Sequence, residues 1–307
     1  MKHAVVLFAF HNAGEACLSW LAQQENIMIP FVVTHKPYKG ENVWFASVEE
    51  AAKKLGIQVL IAEEHSSEEI ERGIKKACPD AIFSINYRKI IPRNVYITAR
   101  IGAFNLHDSL LPSYKGFAPQ VWAMINGEVK TGVTLHAISD DVDAGDIVSQ
   151  VEVPITSQDK IGDLLVRLSE ATKELFIETL PRILSENYPR RAQKPTDGFF
   201  MNRRTTKDDY IDWNQPVDRI INFVRAVSPP VAIARTRLGN FEVLIKNVSS
   251  VNLPASEKQG EPGQVLSSSS DGGICVQAVN GTIKITDYSL ADESTKAKPI
   301  KPGMCFS

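Results

Sequence analysis

The chain has no hydrophobic run long enough to span a membrane, no CxxC pair, no Cys/His spacing of the zinc-binding kind and no surplus of either charge. Each lack removes a class of function. The apolar opening run, residues 4–10, is closed by His11-Asn12 without a small-residue cleavage pattern, so it reads as a first buried strand and not as a signal peptide or a span. Cys17, Cys78, Cys275 and Cys305 lie far apart, which predicts reduced thiols, a cytoplasmic setting and no metal site. Lys and Arg total 34 against 36 Asp and Glu, and a net charge of -2 gives no overall field for drawing in a polyanion. There is no internal repeat, and the four-serine run is too short to count as low complexity. What is present is the composition of a folded globular chain, 43% hydrophobic and 23% charged over 307 residues, enough for one large domain and a smaller one.

Runs rich in Val, Ile and Phe at 4–10, 28–34, 59–62, 81–85 and 103–107 alternate with helical stretches at 13–23, 47–55 and 67–78. Short connections between them predict an α/β fold, a doubly wound, mostly parallel, Rossmann-like sheet. Residues 133–138 and 147–153 read as added, partly exposed strands. A long helix follows, with Ile161, Leu164, Leu165, Leu168, Leu175 and Phe176 on one face. The polar stretch 186–195, with two prolines and no periodicity, is the expected linker, with a boundary near 195–202. The expected domains are 1–200 and 201–307. After a short helix at 216–227, strands at 241–245, 263–266, 274–279 and 282–285, with turns at 267–273 and at Asn280-Gly281, predict a small β-barrel.

Residues 102–150 carry the chemistry-bearing side chains. In a strand over 103–107, Asn105 and His107 share a face at the carboxyl end, where open α/β sheets bind ligands. Ser113-Tyr114-Lys115-Gly116 is a loop of the kind that walls a site, and Asp143-Ala144-Gly145-Asp146 is a second turn before a strand. Taken singly, an Asn-x-His at a strand end is more often a hydrogen-bonded structural pair, and an Asp before Ala-Gly more often a turn residue.

Three motifs in order, Asn105-Leu106-His107, Ser109-Leu110-Leu111-Pro112 and Asp143-Ala144-Gly145-Asp146, resemble the formyltransferase family that uses 10-formyltetrahydrofolate, and the distance between the Asn and the Asp matches that family. Residues 262–265, 274–276 and 281–283 look like its carboxyl-terminal, OB-like barrel. The resemblance implies a catalytic trio: His107 as general base for the amine proton, Asn105 as donor to the oxyanion, and Asp143 as the carboxylate that orients and polarises His107. It further implies 10-formyltetrahydrofolate as co-substrate, held by the backbone loop Asn86-Tyr87-Arg88-Lys89 and the turn reaching Asp146, with Ile85 and Leu110 as apolar walls.

Two branches of that family fit the length, one formylating methionyl-tRNA and one formylating amino sugars on nucleotides, such as the amino-terminal part of the bifunctional polymyxin-resistance enzyme. The tRNA branch usually has a basic loop after its second strand; residues 35–45 here hold two lysines, a Glu and aromatic residues. Thr131-Gly132-Val133-Thr134-Leu135-His136, Arg203-Arg204-Thr205 and Asp212-Trp213 resemble the sugar branch. His11, Lys115, Arg203, Arg204 and Arg225 are the expected substrate contacts, the arginines toward a diphosphate. Ser228-Pro229-Pro230-Val231-Ala232 departs from the Trp-containing sequence common in relatives. The favoured expectation is a small-molecule enzyme acting on a nucleotide-linked amino sugar, with nucleic acid a partner only if the tRNA branch is the right one, and no membrane partner. A hydrolase of the same folate and a non-catalytic folate-binding module also stay open. So does the oligomeric state, a homodimer being one option.

Overall fold

The computed structural model describes residues 2–194, 198–252, 260–268, 273–292 and 300–307. Two compact units emerge: residues 1–119, 130–154 and 165–202 form the first, and 120–129, 155–164 and 203–307 the second. The expected division into 1–200 and 201–307 therefore differs from the observed units, because two earlier segments pack with the second unit. Part of the expected linker and boundary, 195–197, and most of the expected turn, 269–272, lie outside the described residues.

The first unit contains strands β1 (His3–Ala9), β2 (Ile27–Met28), β3 (Val32–Thr34), β4 (Val59–Ile61), β5 (Ala81–Ile85), β6 (Gly102–His107), β7 (Lys115–Gly116), β8 (Lys130–Ala137), β9 (Ile147–Pro154) and β10 (Phe200–Met201). The main sheet runs β4-β3-β1-β5-β6-β8-β9, with β2 beside β1. It is parallel from β4 to β6 and antiparallel at β8 and β9. Its chain order reverses at β1, which places a ligand crevice at the carboxyl ends of β1 and β5.

The helices up to residue 184 are α1 (His11–Leu21), α2 (Val48–Lys54), α3 (Ser67–Ala77), α4 (Arg93–Tyr96), α5 (Pro119–Ile125) and α6 (Ile161–Leu184), of which α5 after Pro119 and α6 up to Leu164 belong to the second unit. α3 starts at a capping box in which the Ser66 hydroxyl accepts from Glu69 N–H and the Glu69 carboxylate from Ser66 N–H, satisfying two donors the helix leaves open. One face of the sheet buries Val6, Phe8, Val33, Ile82 and Ala103 with Ile70 and Ile74 of α3. Toward the other face, Phe83 meets Phe176 of α6 edge-on at 5.0 Å, and Trp20 of α1 meets the same ring at 5.9 Å. Each face thus has its own helices, as a parallel sheet requires.

Two expectations are corrected. The strand expected over 28–34 is split, because Pro30 lacks the N–H that a ladder needs. The strand expected at 133–138 is not partly exposed: β8 lies between β6 and β9 and is buried along nearly its whole length.

The second unit holds α7 (Val217–Ala226) and an antiparallel sheet of β11 (Ala234–Leu238), β12 (Phe241–Val251), β13 (Val265–Ser268), β14 (Ile274–Ala278) and β15 (Gly281–Leu290) in the order β11-β12-β15-β14-β13. The terminal residues bridge both edges: Phe306 pairs with Leu238 and Cys305 with Gln264, which curls the sheet toward a small barrel. Trp213, Ile220, Val224, Val243, Val276, Ile283 and Phe306 fill its core. Trp213 stacks on Phe306 and gives its indole N–H to Thr236 Oγ1 at 2.9 Å.

Candidate active site

The site is built in the first unit, where β6 ends. Beyond it, Ser109-Leu110-Leu111-Pro112 is held by Thr134 of β8. The Thr134 hydroxyl donates to Ser109 O at 2.6 Å and accepts from Leu111 N–H at 3.1 Å, while Gln150 Nε2 of β9 donates to Thr134 Oγ1 and to Leu111 O, each at 2.8 Å. Gly132 makes room for Leu110, since a Cβ there would come within 2.5 Å of Leu110 Cδ2. The Ser109 hydroxyl then donates to Ser113 O at 2.8 Å, fixing the loop that carries Tyr114.

That loop fixes the imidazole. His107 Nε2 lies 2.9 Å from Tyr114 O, so by its hydrogen bonding this nitrogen carries the proton and donates. Nδ1, left with the lone pair, faces Asp143 Oδ2 at 3.6 Å. The expectation that Asp143 orients the ring is thereby modified: the carbonyl of Tyr114 orients it, and the carboxylate favours a proton on Nδ1. Both side chains are nearly buried.

Asp143 itself sits in a left-handed backbone conformation, φ 52°, and accepts Gly116 N–H at 2.8 Å. Gly116 is required there, because β7 and β10 pair so closely that a Cβ would lie 2.5 Å from Met201 O, at φ 92°. Burial alone would raise the Asp143 pKa. The charges of His107 and His136, a hydrogen bond from His136 and one from Gly116 N–H outweigh that and lower it to about 2. Asn105 Nδ2 lies 3.2 Å from His136 Nε2, which is itself 3.5 Å from Asp143 Oδ1; His136 Nδ1 donates to Ala137 O at 2.9 Å. The Asn105 amide carries two hydrogens and its contact with His136 engages one at most, which leaves one for another acceptor.

Gly145 closes the turn against β8: a Cβ there would lie 1.9 Å from Ala137 O, and Asp146 O accepts Ala137 N–H at 2.9 Å. Gln193 Nε2 donates to Asp143 O at 3.0 Å and to Gly145 O at 2.7 Å. Gly145→Ala should therefore push the turn off β8. We expect a loss of about 1–3 kcal/mol in the urea midpoint analysis together with a drop in turnover; unchanged values for both would show that the turn tolerates the shift.

The expected cofactor loop follows β5. Asn86, at φ 52°, gives its amide to Asp108 Oδ2 at 3.0 Å. Tyr87 stacks on His35 at 4.3 Å, and burial raises its pKa. Arg88 lies over the Phe10 and Tyr38 rings at 4.2 and 4.7 Å and forms a two-pronged ion pair with Glu41. Leu110 is half-buried. Ile85 is corrected: it is 0% exposed and belongs to the sheet core, so it backs the site and cannot wall it.

Of the expected substrate contacts, His11 begins α1 at φ 69°, stacks on Phe45 at 4.3 Å and meets Trp44 edge-on at 4.5 Å. Burial, then the Arg88 charge, push its pKa down to about 4, against the pull of Glu41. His11 is thus neutral at pH values where an unfolded histidine titrates. Between its ordinary 6.5 and about 4 the unfolded chain binds the extra proton, so His11 costs the fold stability as pH falls through that window. An NMR titration should place its midpoint near 4; a midpoint near 6.5 would contradict the enclosed ring. Lys115 is buried in β7. Arg203, Arg204 and Arg225 belong to the second unit. Arg204 binds Asp209 and Asp208 O and lies over Trp122. Arg225 is corrected: its guanidinium is committed to Thr156 O, Asp159 O and Asn222 Oδ1, which makes it a brace within that unit.

Tyr114, Gly116, His136, Gln193 and Asp108 were not assigned roles from sequence. The first two act through backbone groups, which leave little residue signature. His136 stands in the same alternation as Thr134, the one clue available. Among the described residues no group of three His, Cys, Asp or Glu is placed to hold a metal ion, and no helix is long and apolar enough to cross a membrane.

A carboxamide, an imidazole and a carboxylate gathered at the carboxyl end of a Rossmann-like sheet define a group-transfer enzyme of the acyl type. Residues 1–180 match the formyl transferase family model and residues 204–298 that of the formyl transferase carboxyl-terminal domain. The chain belongs to the formyl transferase family. Solved structures share the fold at low identity. An N-formyltransferase from Helicobacter canadensis, in complex with folinic acid and dTDP-3-aminofucose, is similar with TM-score 0.70 and 21% identity, over 94% of this chain and 100% of that one. WlaRD, a sugar 3N-formyltransferase with dTDP and 5-N-formyl-THF, gives 0.65 and 20% over 95% and 99%. A 4-N formyltransferase from Francisella tularensis gives 0.63 and 17% over 80% and 97%.

Proposed function

We propose that this enzyme transfers a formyl group from 10-formyltetrahydrofolate to the primary amine of a nucleotide-linked amino sugar. The observation that carries the reading is the convergence of Asn105, His107 and Asp143 on one cluster, in which His107 and His136 lie 3.6 and 3.5 Å from the Asp143 carboxylate and Asn105 lies 3.2 Å from His136. His107 Nδ1 takes the amine's proton as the new bond forms. The Asp143 carboxylate stabilises the imidazolium that results, and the spare hydrogen of Asn105 Nδ2 meets the negative charge that develops on the formyl oxygen.

The folate supplies an activated formyl group. A pterin needs polar partners at its edge and apolar ones at its faces. Asn86, Tyr87 and Arg88, the turn ending at Asp146, and half-buried Leu110 offer both. His11 and Lys115 remain the candidates for the acceptor within the first unit.

The acceptor assignment is supported by the neutralised charges of the segment after β3. Arg88 pairs with Glu41 and Lys36 with Glu64, which leaves little positive potential there for a tRNA backbone. The dTDP-sugar bound by the Helicobacter canadensis enzyme is consistent with the same choice. An acceptor screen tests it: nucleotide-linked amino sugars with the amine at different ring positions, methionyl-tRNA, and no acceptor. Turnover with at least one sugar nucleotide is expected; turnover with methionyl-tRNA alone would overturn the assignment.

A further inference from the structure

An amine acceptor presents a proton problem that the trio alone does not solve. At neutral pH an amine of ordinary basicity arrives as an ammonium. It must lose one proton before it can attack and a second as the new bond forms. His107 has one nitrogen for this work, because Nε2 donates to Tyr114 O. Asp143, with its pKa lowered to about 2, is a poor proton acceptor.

A second carboxyl stands next to His107. Asp108 follows β6 directly, is half-buried, and has its Oδ2 held at 3.0 Å by Asn86 Nδ2 from the loop after β5. Among the described residues its Oδ1 has no hydrogen-bond partner. We propose that Asp108 is a further catalytic residue, whose carboxylate receives the acceptor's ammonium and takes its first proton, so that a neutral amine is delivered to His107. This rests on the proposed function, in which the acceptor is an amine.

The protons balance. The ammonium gives one proton to the Asp108 carboxylate, leaving a neutral amine and a carboxylic acid. The amine lone pair forms the bond to the formyl carbon while the carbonyl pair moves to oxygen, next to Asn105. His107 Nδ1 takes the second proton. When the carbonyl re-forms, the bond to the folate nitrogen breaks with its pair on that nitrogen, which takes the proton from His107. Asp108 releases its own to water. The sum is formamide, tetrahydrofolate and one proton.

The surroundings of Asp108 suit an exchangeable proton. Burial pushes its carboxyl above the usual range, opposed by the charge of the preceding His107 and by the Asn86 amide. That direction makes Asp108 a better base than Asp143.

Asp108→Asn tests this, because the new carboxamide still accepts the Asn86 hydrogen bond but cannot take a proton. The kcat/KM for a dTDP-linked amino sugar is measured at saturating 10-formyltetrahydrofolate from mildly acid to alkaline pH, with folate Kd and the thermal midpoint alongside. If methionyl-tRNA is instead the acceptor that the wild-type enzyme formylates, the same series is run on it, since an ammonium must lose its proton there too. The expected result is a loss of about 100-fold near neutral pH, the low end for general acid-base groups, that shrinks toward wild type above the acceptor amine's own pKa. A loss equal at every pH, a loss confined to folate Kd, or no loss would overturn it. Wild-type activity on methionyl-tRNA alone would sink the sugar assignment and leave this test standing. Asp108→Ala adds the control for anchoring: a folate Kd weakened only in this variant assigns the Asn86 contact to cofactor binding and the kinetic loss to the proton.

Discussion

His107→Ala is expected to lower turnover by about 100- to 10,000-fold while leaving folate affinity nearly unchanged. In the proposed mechanism the ring meets the amine and not the folate, and its removal leaves the Thr134 network in place. Asp143→Asn should approach the same loss by another route. The carboxylate faces Nδ1 at 3.6 Å and is ionised down to about pH 2, so it offsets the positive charge the imidazole gains when it takes a proton. A carboxamide there offers no charge, and the comparable change in a Ser-His-Asp triad costs about 10,000-fold. A stability signature accompanies it. The Asp143 pKa is depressed, so its contribution is fully present above the unfolded value near 3.8 and is lost as pH falls through about 2. The Asn variant should therefore lose stability near neutral pH and show a shallower decline in acid. Steady-state kinetics and urea titrations read the two effects separately, and wild-type turnover in both variants would make the trio structural.

Asn105→Ala should cost about 100- to 1000-fold in turnover, the usual loss for one donor to a developing oxyanion. The shape of the pH-rate profile should not move, since Asn105 carries no titrating proton. His136 complicates the simplest form of this test, because it also loses its Asn105 partner at 3.2 Å. Asn105→Asp separates the two. It keeps a side chain of the same size beside His136 and removes the amide hydrogens. If the Asp variant is as slow as the Ala variant, the donor is what matters; near-normal turnover in both would remove Asn105 from the chemistry.

Much of this was legible from sequence, for identifiable reasons. The buried strands of a parallel sheet are continuous apolar runs, so β1 and β5 stand out, and Asn105 and His107 share a face by strand alternation alone. Pro30 and the interior place of β8 were harder. The first interrupts a run whose hydrophobicity never falls, and the second depends on β9 covering an edge that local pattern does not show. The part of the site made from backbone left little signature: Tyr114 acts through a carbonyl that any residue carries, and the only mark of the Gly116 N–H is the glycine that its close packing requires. Arg225 misled because a basic residue near a helix end reads as available to a diphosphate, whereas here it is held by Asn222 of its own helix and by two carbonyls, Thr156 O and Asp159 O, from elsewhere in the second unit. Ile85 misled for the opposite reason, since being beside the cofactor loop does not expose a residue that the sheet encloses.

Formyl transfer to an amine is tested most directly by following an isotopically labelled formyl group from 10-formyltetrahydrofolate in the presence of a nucleotide-linked amino sugar. The label should appear as a formamide on the sugar, only when both substrates are present, and should fail to appear with His107→Ala. Label released as free formate, at the same rate with and without the amine, would refute transfer and make the enzyme a hydrolase of its folate.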